Sequence, residues 1–399
     1  MNIVMQNIKW LFEKSIGHFS RRDKNLWVFG EWFGKRCCDN SLFLANYVSE
    51  YYPDIQVVWI AEENIDLSML SSRIRKIKMD TPESKQLLMH AGVVIYNQSL
   101  SDFSRCMNLY CMGAVTINLW HGVPWKKIGI DAFSGESKVK WIYVNYILRL
   151  QRPTLYLSTS EAFTDILQSA YCIKKKNIIK AGYPRNSIFY DERLLVDARD
   201  KVLNWLENTE KYTCTSGVKI ITYMPTFRDH EENVFSFEQL TDNEQLNGIL
   251  IRNNAVIIQK AHFVNRSKET KDTFTAGQRI FNLDDISAAE LLAASDLLIT
   301  DYSSCFFDYL LLDRPIIHYI YDYDYYANKD RGLYYEKEEV VCGDAVETID
   351  GLLKSISENL VYPEKNLLLR QKRRERFMMY ETAECCKVIF EAINERLER

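Results

Sequence analysis

Short apolar runs alternate with amphipathic stretches along most of the chain. Residues 26–30, 57–61, 93–97, 115–120 and Leu155–Ser158 are rich in β-branched and aromatic side chains. Each is too short for a helix and reads as a strand. Between them apolar residues recur three and four apart, and 40–52 is a clear helix. The pattern weakens over 191–216, where a charged helix (197–207) leads into a polar stretch, and then restarts. Lys219–Tyr223, Ala255–Gln259, Leu297–Thr300 and Ile316–Tyr319 read as strands, with helices at 287–294 and 305–312. Unbroken apolar strands separated by helices imply parallel sheets covered on both faces. The economical architecture is α/β, with two Rossmann-like domains facing across a cleft, at 25–207 and 208–365. A final helical stretch, 366–399, begins with the basic residues Arg370, Lys372, Arg373, Arg374 and Arg376.

Residues 1–24 differ in kind. Ile8, Leu11, Phe12, Ile16 and Phe19 recur at helical spacing, with Trp10 among them and Lys9, Lys14, Arg21, Arg22 and Lys24 supplying charge. Such an amphipathic helix either lies in a membrane surface or packs on the body of its own chain.

Length and composition narrow the function. At 399 residues, with 47% hydrophobic and 26% charged side chains, the chain suits two ordinary globular domains. A formal net charge of −4 argues against nucleic acid as a partner. Ten cysteines include two adjacent pairs, Cys37-Cys38 and Cys385-Cys386, but no Cys-x-x-Cys, so they read as reduced thiols in a cytoplasm. No apolar run reaches the ~20 residues that a membrane-spanning helix needs.

Four constellations at predicted strand ends could carry chemistry. The first is Asn118-Leu119-Trp120-His121-Gly122-Val123-Pro124-Trp125-Lys126-Lys127-Ile128-Gly129. Ligands of open α/β sheets sit beyond the carboxyl ends of strands, so His121 stands where a general base is useful. Lys126 and Lys127 are candidates to hold an anionic acceptor. A lone histidine there is equally well a structural one. In the second, a strand runs into Thr300-Asp301-Tyr302-Ser303-Ser304 and then a helix, so the serines either cap that helix or bind phosphate. The third, Pro225-Thr226-Phe227-Arg228, offers a hydroxyl and a guanidinium to a diphosphate, unless Arg228 merely pairs with Asp229. The fourth is Lys260-Ala261-His262. Gly182-Tyr183-Pro184-Arg185-Asn186 adds another cation. Asp322-x-Asp324 has the spacing with which some sugar-nucleotide transferases hold a divalent metal, but its place in the tyrosine-rich run 319–326 favours a structural or substrate-shaping role, and no metal or other cofactor is expected. Neither a phosphate-binding Gly-rich loop ending in Lys-Ser/Thr nor a Gly-x-Gly-x-x-Gly fingerprint occurs.

With those residues in view, the chain resembles the CDP-glycerol glycerophosphotransferase family, the primases and polymerases of teichoic acids and their capsule-assembly relatives. The family's Trp-His-Gly-x-Pro-x-Lys-x-x-Gly runs here from Trp120 to Gly129, and its Gly-x-Pro-Arg-Asn from Gly182 to Asn186. Pro-Thr-Trp/Phe-Arg runs from Pro225 to Arg228, and Thr-Asp-Tyr-Ser-Ser-x-Phe-Phe-Asp-Tyr from Thr300 to Tyr309. The likeness spans 25–335. It implies a GT-B-like fold with a CDP-polyol held mainly by the second domain and no metal requirement. It further implies His121 as the base that deprotonates the acceptor. His262, Thr226, Arg228, Ser303 and Ser304 would hold and polarise the donor diphosphate, with Lys260, Asp301 and Arg185 completing the donor-binding set.

The implied reaction moves glycerol phosphate from CDP-glycerol to a hydroxyl of a lipid-linked or oligosaccharide acceptor and releases CMP. It would take place on the inner face of the cell membrane. CDP-ribitol as donor, a GT-B glycosyltransferase using a nucleotide sugar, and a non-catalytic envelope-assembly scaffold are the alternatives. Two departures from the family pattern bear on the donor. Lys260-Ala261-His262-Phe263 replaces Lys-Pro-His-Pro, and Val340-Val341-Cys342-Gly343-Asp344 replaces a Gly-Pro loop.

Overall fold

The computed structural model describes residues 3–106, 108–133, 137–226, 235–260, 278–283, 285–324 and 332–399. It divides into two compact units. The first comprises Met1–His121, Gly129–Ser187 and Met379–Arg399, and the second Gly122–Ile128 and Ile188–Met378.

The first unit is built on seven parallel strands: β1 Asp23–Phe29, β2 Gln56–Ala61, β3 Arg75–Lys78, β4 Ala91–Tyr96, β5 Val115–Asn118, β6 Leu155–Ser158 and β7 Ile178–Lys180. Their order is β3-β2-β1-β4-β5-β6-β7. Every residue of β4 is buried, as expected of a central strand covered on both faces. Helix starts are fixed by local chemistry. Thr81 and Ser84 form a capping box before Pro82–His90, and Ser160 caps Glu161–Tyr171.

The second unit has six parallel strands: β8 Lys219–Tyr223, β9 Ala255–Gln259, β10 Ile280–Asn282, β11 Leu297–Thr300, β12 Ile316–Tyr319 and β13 Asp344–Val346. They are ordered β10-β9-β8-β11-β12-β13. Ile221, Ile257, Ile299 and Ile317 from its four central strands share one core with the helices Glu244–Arg252 and Ile349–Val361. In both sheets the strand order reverses once, between β1 and β4 and between β8 and β11. Such a reversal opens a crevice at the carboxyl ends, where ligands of this fold class bind.

The predicted central strands are present to within a few residues. The edge strands β3, β7, β10 and β13 were not anticipated from the pattern. They have three or four residues each, with exposed or half-exposed positions, and so lack a buried apolar run.

The final stretch is two helices, Leu367–Phe377 and Cys385–Glu398, assigned to different units. The arginines of the first are structural. Arg370 is fully buried and donates to the carbonyls of Asp313, Pro363 and Lys365, while Arg374 pairs with Asp313 at 2.8 Å. In the second, Phe390 stacks on Trp27 and Tyr52.

The N-terminal helix, Ile3–Phe19, packs on the first unit through one face. Trp10, Glu13 and Gly17 are buried, and a Cβ on Gly17 would crowd the carbonyls of Tyr110 and Met112. Arg22 locks the junction by donating to five carbonyls, those of Gly17, Leu88, Ala91, Tyr110 and Met112. Met5, Ile8, Leu11, Phe12 and Phe19 stay exposed, Phe19 at 86%. Among the described residues no helix is long and apolar enough to cross a membrane.

Candidate active site

In the first unit polar side chains follow neighbouring strand ends at the β1/β4 reversal. Glu31 follows β1, Asn97 follows β4 and His121 follows β5. Trp120, between β5 and His121, has φ 58°, a left-handed conformation that costs a bulky L-residue free energy. Two side chains hold it there. The Asn118 carboxamide oxygen accepts from the Trp120 N–H (2.8 Å), and the Asn40 amide donates to the Trp120 carbonyl (2.9 Å).

Once turned, His121 places Nδ1 3.3 Å from the Asn97 carbonyl, between the rings of Trp120 and Trp32. A carbonyl can only accept, so it selects the tautomer with the proton on Nδ1 and the lone pair on Nε2. Burial pulls the His121 pKa below its ordinary 6.5, with Asp39 opposing and Arg185 assisting. The imidazole is therefore neutral and basic at neutral pH.

Around it lies a buried network that the sequence did not announce. Asp39 caps the helix Asn40–Tyr51 and accepts from the Asn40 N–H, from Trp32 Nε1 (2.8 Å) and from Arg185 Nη1 (2.6 Å). Glu31 accepts from the backbone N–H groups of Cys38 and Asp39, and its carboxyl is pushed well above the usual carboxylate range by burial and by Asp39. Asp102 accepts from the N–H groups of Phe33, Asn97 and Gln98, and burial raises it to about 7. The loop Gly182–Asn186 is held by Glu381, which accepts from the Tyr183 N–H and the Asn186 amide. Only the cap signal of Asp39-Asn40 was visible in the sequence, and nothing there tied it to His121.

In the second unit the β8/β11 reversal brings together two of the predicted motifs. Asp301 Oδ1 accepts from the Thr226 N–H and hydroxyl, both at 2.7 Å, and from the N–H groups of Tyr302 and Ser303. Asp301 is buried, so its carboxylate builds the turn that displays Thr226, Ser303 and Ser304. Ser304 stands at the start of the short helix Cys305–Tyr309, but its side chain makes no capping hydrogen bond. Lys260 follows β9 and donates from Nζ to the Ile286 carbonyl at 2.6 Å. Beneath the turn, His318 places Nδ1 3.4 Å from the Asp301 carbonyl and Nε2 3.2 Å from Cys342 Sγ.

The other candidates are dispersed. Arg185 belongs to the first unit, in a buried pair with Asp39, and not to the second unit with the remaining predicted donor-binding residues. Lys126 and Lys127 belong to the second unit, where Lys126 bridges Leu333 and the Lys127 N–H donates to the Gly332 carbonyl. Asp322 accepts from the Tyr302 hydroxyl at 3.1 Å. Arg228 and His262 lie outside the described residues. Among the described residues no group of three His, Cys, Asp or Glu side chains is arranged to hold a metal ion.

Two Rossmann-order units, one presenting a neutral imidazole and the other a turn of hydroxyls and a lysine at strand ends, define a GT-B-like transferase. The chain belongs to the CDP-glycerol:poly(glycerophosphate) glycerophosphotransferase family, whose model matches residues 13–395. It is 27% identical to a teichoic acid glycerol-phosphate transferase of Staphylococcus aureus, over 84% of both chains. A teichoic acid poly(glycerol phosphate) polymerase of Staphylococcus epidermidis is 26% identical, over 82% of this chain but 45% of that longer one. The S. aureus ribitol-phosphate polymerase TarL is 29% identical over 60% of this chain and 41% of its own length. The wall teichoic acid polymerase TagF superposes with a TM-score of 0.80, covering 100% of this chain and 99% of that one at 24% identity, and supports the fold.

Proposed function

We propose that this glycerophosphotransferase moves glycerol phosphate from CDP-glycerol to a hydroxyl of a teichoic acid acceptor, with His121 as the base. The observation that carries the proposal is the commitment of His121 Nδ1 to the Asn97 carbonyl, which leaves Nε2 to receive a proton. The acceptor oxygen forms a bond to the β-phosphorus of the donor, and the bond from that phosphorus to the oxygen of CMP breaks. The acceptor proton passes to Nε2, and CMP leaves with the electron pair. Lys260 is suited to balance the charge of the diphosphate and Ser303 and Ser304 to donate hydrogen bonds to it, with Arg228 and His262 assigned to the same task by their motifs, whereas both Thr226 donors are spent on Asp301. Asp301 holds the turn and does not itself meet the anion, and Lys126 and Lys127 remain the acceptor-side candidates.

The same reading puts the enzyme on the cytoplasmic face of a membrane carrying a lipid-linked acceptor. Its support is the exposed apolar face of the helix Ile3–Phe19, together with Val139, Ile142, Tyr143 and Tyr146 on the helix Lys138–Leu150. Trp10 and Leu150 of these helices join one hydrophobic cluster, and Lys138, Lys140 and Arg149 add cations for anionic headgroups.

The test is CMP release from CDP-glycerol, CDP-ribitol and a panel of UDP- and GDP-sugars, with a membrane-extracted or synthetic acceptor. Acceptor-dependent CMP release from CDP-glycerol, reduced about 10²–10⁴-fold in His121→Ala, supports the proposal. Release from CDP-ribitol alone would change the polyol. Release of UDP or GDP instead would overturn the reaction.

A further inference from the structure

His121 is tied to a buried charge pair by two separate routes. Asp39 Oδ1 and Arg185 Nη1 are 2.6 Å apart, and both side chains are at most 10% exposed. The first route is Asn40, whose amide oxygen accepts from the Arg185 backbone N–H (3.2 Å), whose own backbone N–H donates to Asp39 Oδ1, and whose side-chain nitrogen donates to the Trp120 carbonyl, the peptide that precedes His121. The second is Trp32, whose indole N–H donates to Asp39 Oδ2 and whose ring lies 5.6 Å from the imidazole. A pair used only to close the fold would not need both of its members linked to the same histidine.

We infer that Asp39 and Arg185 are positioning residues for His121, a buried pair of opposite charge that orients the imidazole and balances the charge around it. During transfer the imidazole gains a proton in a site already containing one anion and one cation. Asp39 stabilises the imidazolium, and Arg185 keeps that stabilisation from protonating the base before the acceptor arrives. The two residues act on the His121 pKa in opposite directions, Asp39 upward and Arg185 downward, beneath the larger lowering by burial. Glu31, behind Asp39, is pushed well above the usual carboxylate range by burial and by Asp39, and Asp102 faces Asn97 from its other side. Because Asp39 helps to raise Glu31, the parent and every variant of the experiment below carry Glu31→Gln, which removes that coupling, and Asp102 is common to all of them. This role rests on His121 being the base.

The experiment is the pH dependence of kcat/KM for acceptor-dependent CMP release from CDP-glycerol, in the full chain. Its acid limb reports the imidazole. Asp39→Asn removes the anion and moves the limb to lower pH, and Arg185→Gln removes the cation and moves it to higher pH, each by about one unit. The double variant, with no uncompensated charge, returns the limb to within roughly a third of a unit of the parent. Donor binding by titration with CDP-glycerol stays within about twofold throughout, because the groups assigned to the diphosphate belong to the second unit. Limbs that do not move, or that move the same way in both single variants, overturn the inference. Should a single variant fail to fold, Trp32→Phe deletes one neutral donor from Asp39 and raises the limb by roughly a third of a unit. An unmoved limb in Trp32→Phe then counts against the pair. His121→Ala separates the two readings. Turnover retained there removes the base itself, whereas turnover lost there with unmoved limbs in the others removes only the pair.

Discussion

Thr226 and Asp301 join two strand ends of the second unit. One carboxylate oxygen of Asp301 takes both the hydroxyl and the backbone N–H of Thr226, each at 2.7 Å, across the carboxyl ends of β8 and β11. Because the same oxygen also accepts from Tyr302 and Ser303, a single buried atom organises two of the motifs shared with the family.

Asp301→Ala leaves those donors without their acceptor. It is expected to destabilise the protein by about 3 kcal/mol in urea unfolding and to weaken CDP-glycerol binding at least about tenfold. Asp301→Asn keeps an oxygen in place and retains most of both. Equal behaviour of the two variants would show that the carboxylate does not shape the turn.

Gly129, the last residue of the histidine motif, has φ 54°, and a Cβ there would run into the Ala170 carbonyl. The family pattern thus has a steric cause at this position. Gly129→Ala is expected to cost about 2–4 kcal/mol by thermal or urea unfolding. A cost below about 0.5 kcal/mol would mean that the turn relaxes freely.

His318 is fully buried, and burial lowers its pKa from 6.5 to about 4. The unfolded chain takes up that proton first. The stability it contributes is complete above pH 6.5 and is lost as the pH falls from 6.5 to 4. Between those limits the parent protein should lose about 3 kcal/mol more than His318→Asn. Asp102, raised to about 7, acts in the opposite sense but equally in both proteins, so it cancels. Parallel urea-unfolding curves at each pH would refute a neutral buried His318.

The apolar face of the N-terminal helix gives a separable test. Ile8→Ser with Phe12→Ser changes exposed side chains only, so the melting temperature should move by less than about 2 °C. Flotation with vesicles containing anionic phosphatidylglycerol should fall about tenfold. Unaltered flotation would assign membrane contact elsewhere. Arg22→Met is expected to do the reverse, lowering stability through the loss of five carbonyl contacts.

The class of the fold is legible in the local pattern of apolar residues. Runs such as Ala255–Gln259 and Leu297–Thr300 are apolar throughout because both faces of a central parallel strand are covered, and that leaves a local mark. The same holds for motif residues beside such strands, so the pattern alone puts His121, Thr226 and Ser303 at strand ends. Tertiary structure decided what these residues do for one another. Asp39 stands unremarked before a helical run, Arg185 reads as one more cation, and Asp301 enters the donor-binding set only through the family resemblance. Their partners are Arg185, Asp39 and Thr226, distant in the chain and joined only by the order in which parallel strands assemble. Hydrogen bonding and charge pairing act through space, so no spacing along the chain encodes them. The two-unit division has the same origin, since residues 122–128 belong with the second unit and 379–399 with the first, each apart from its neighbours in sequence.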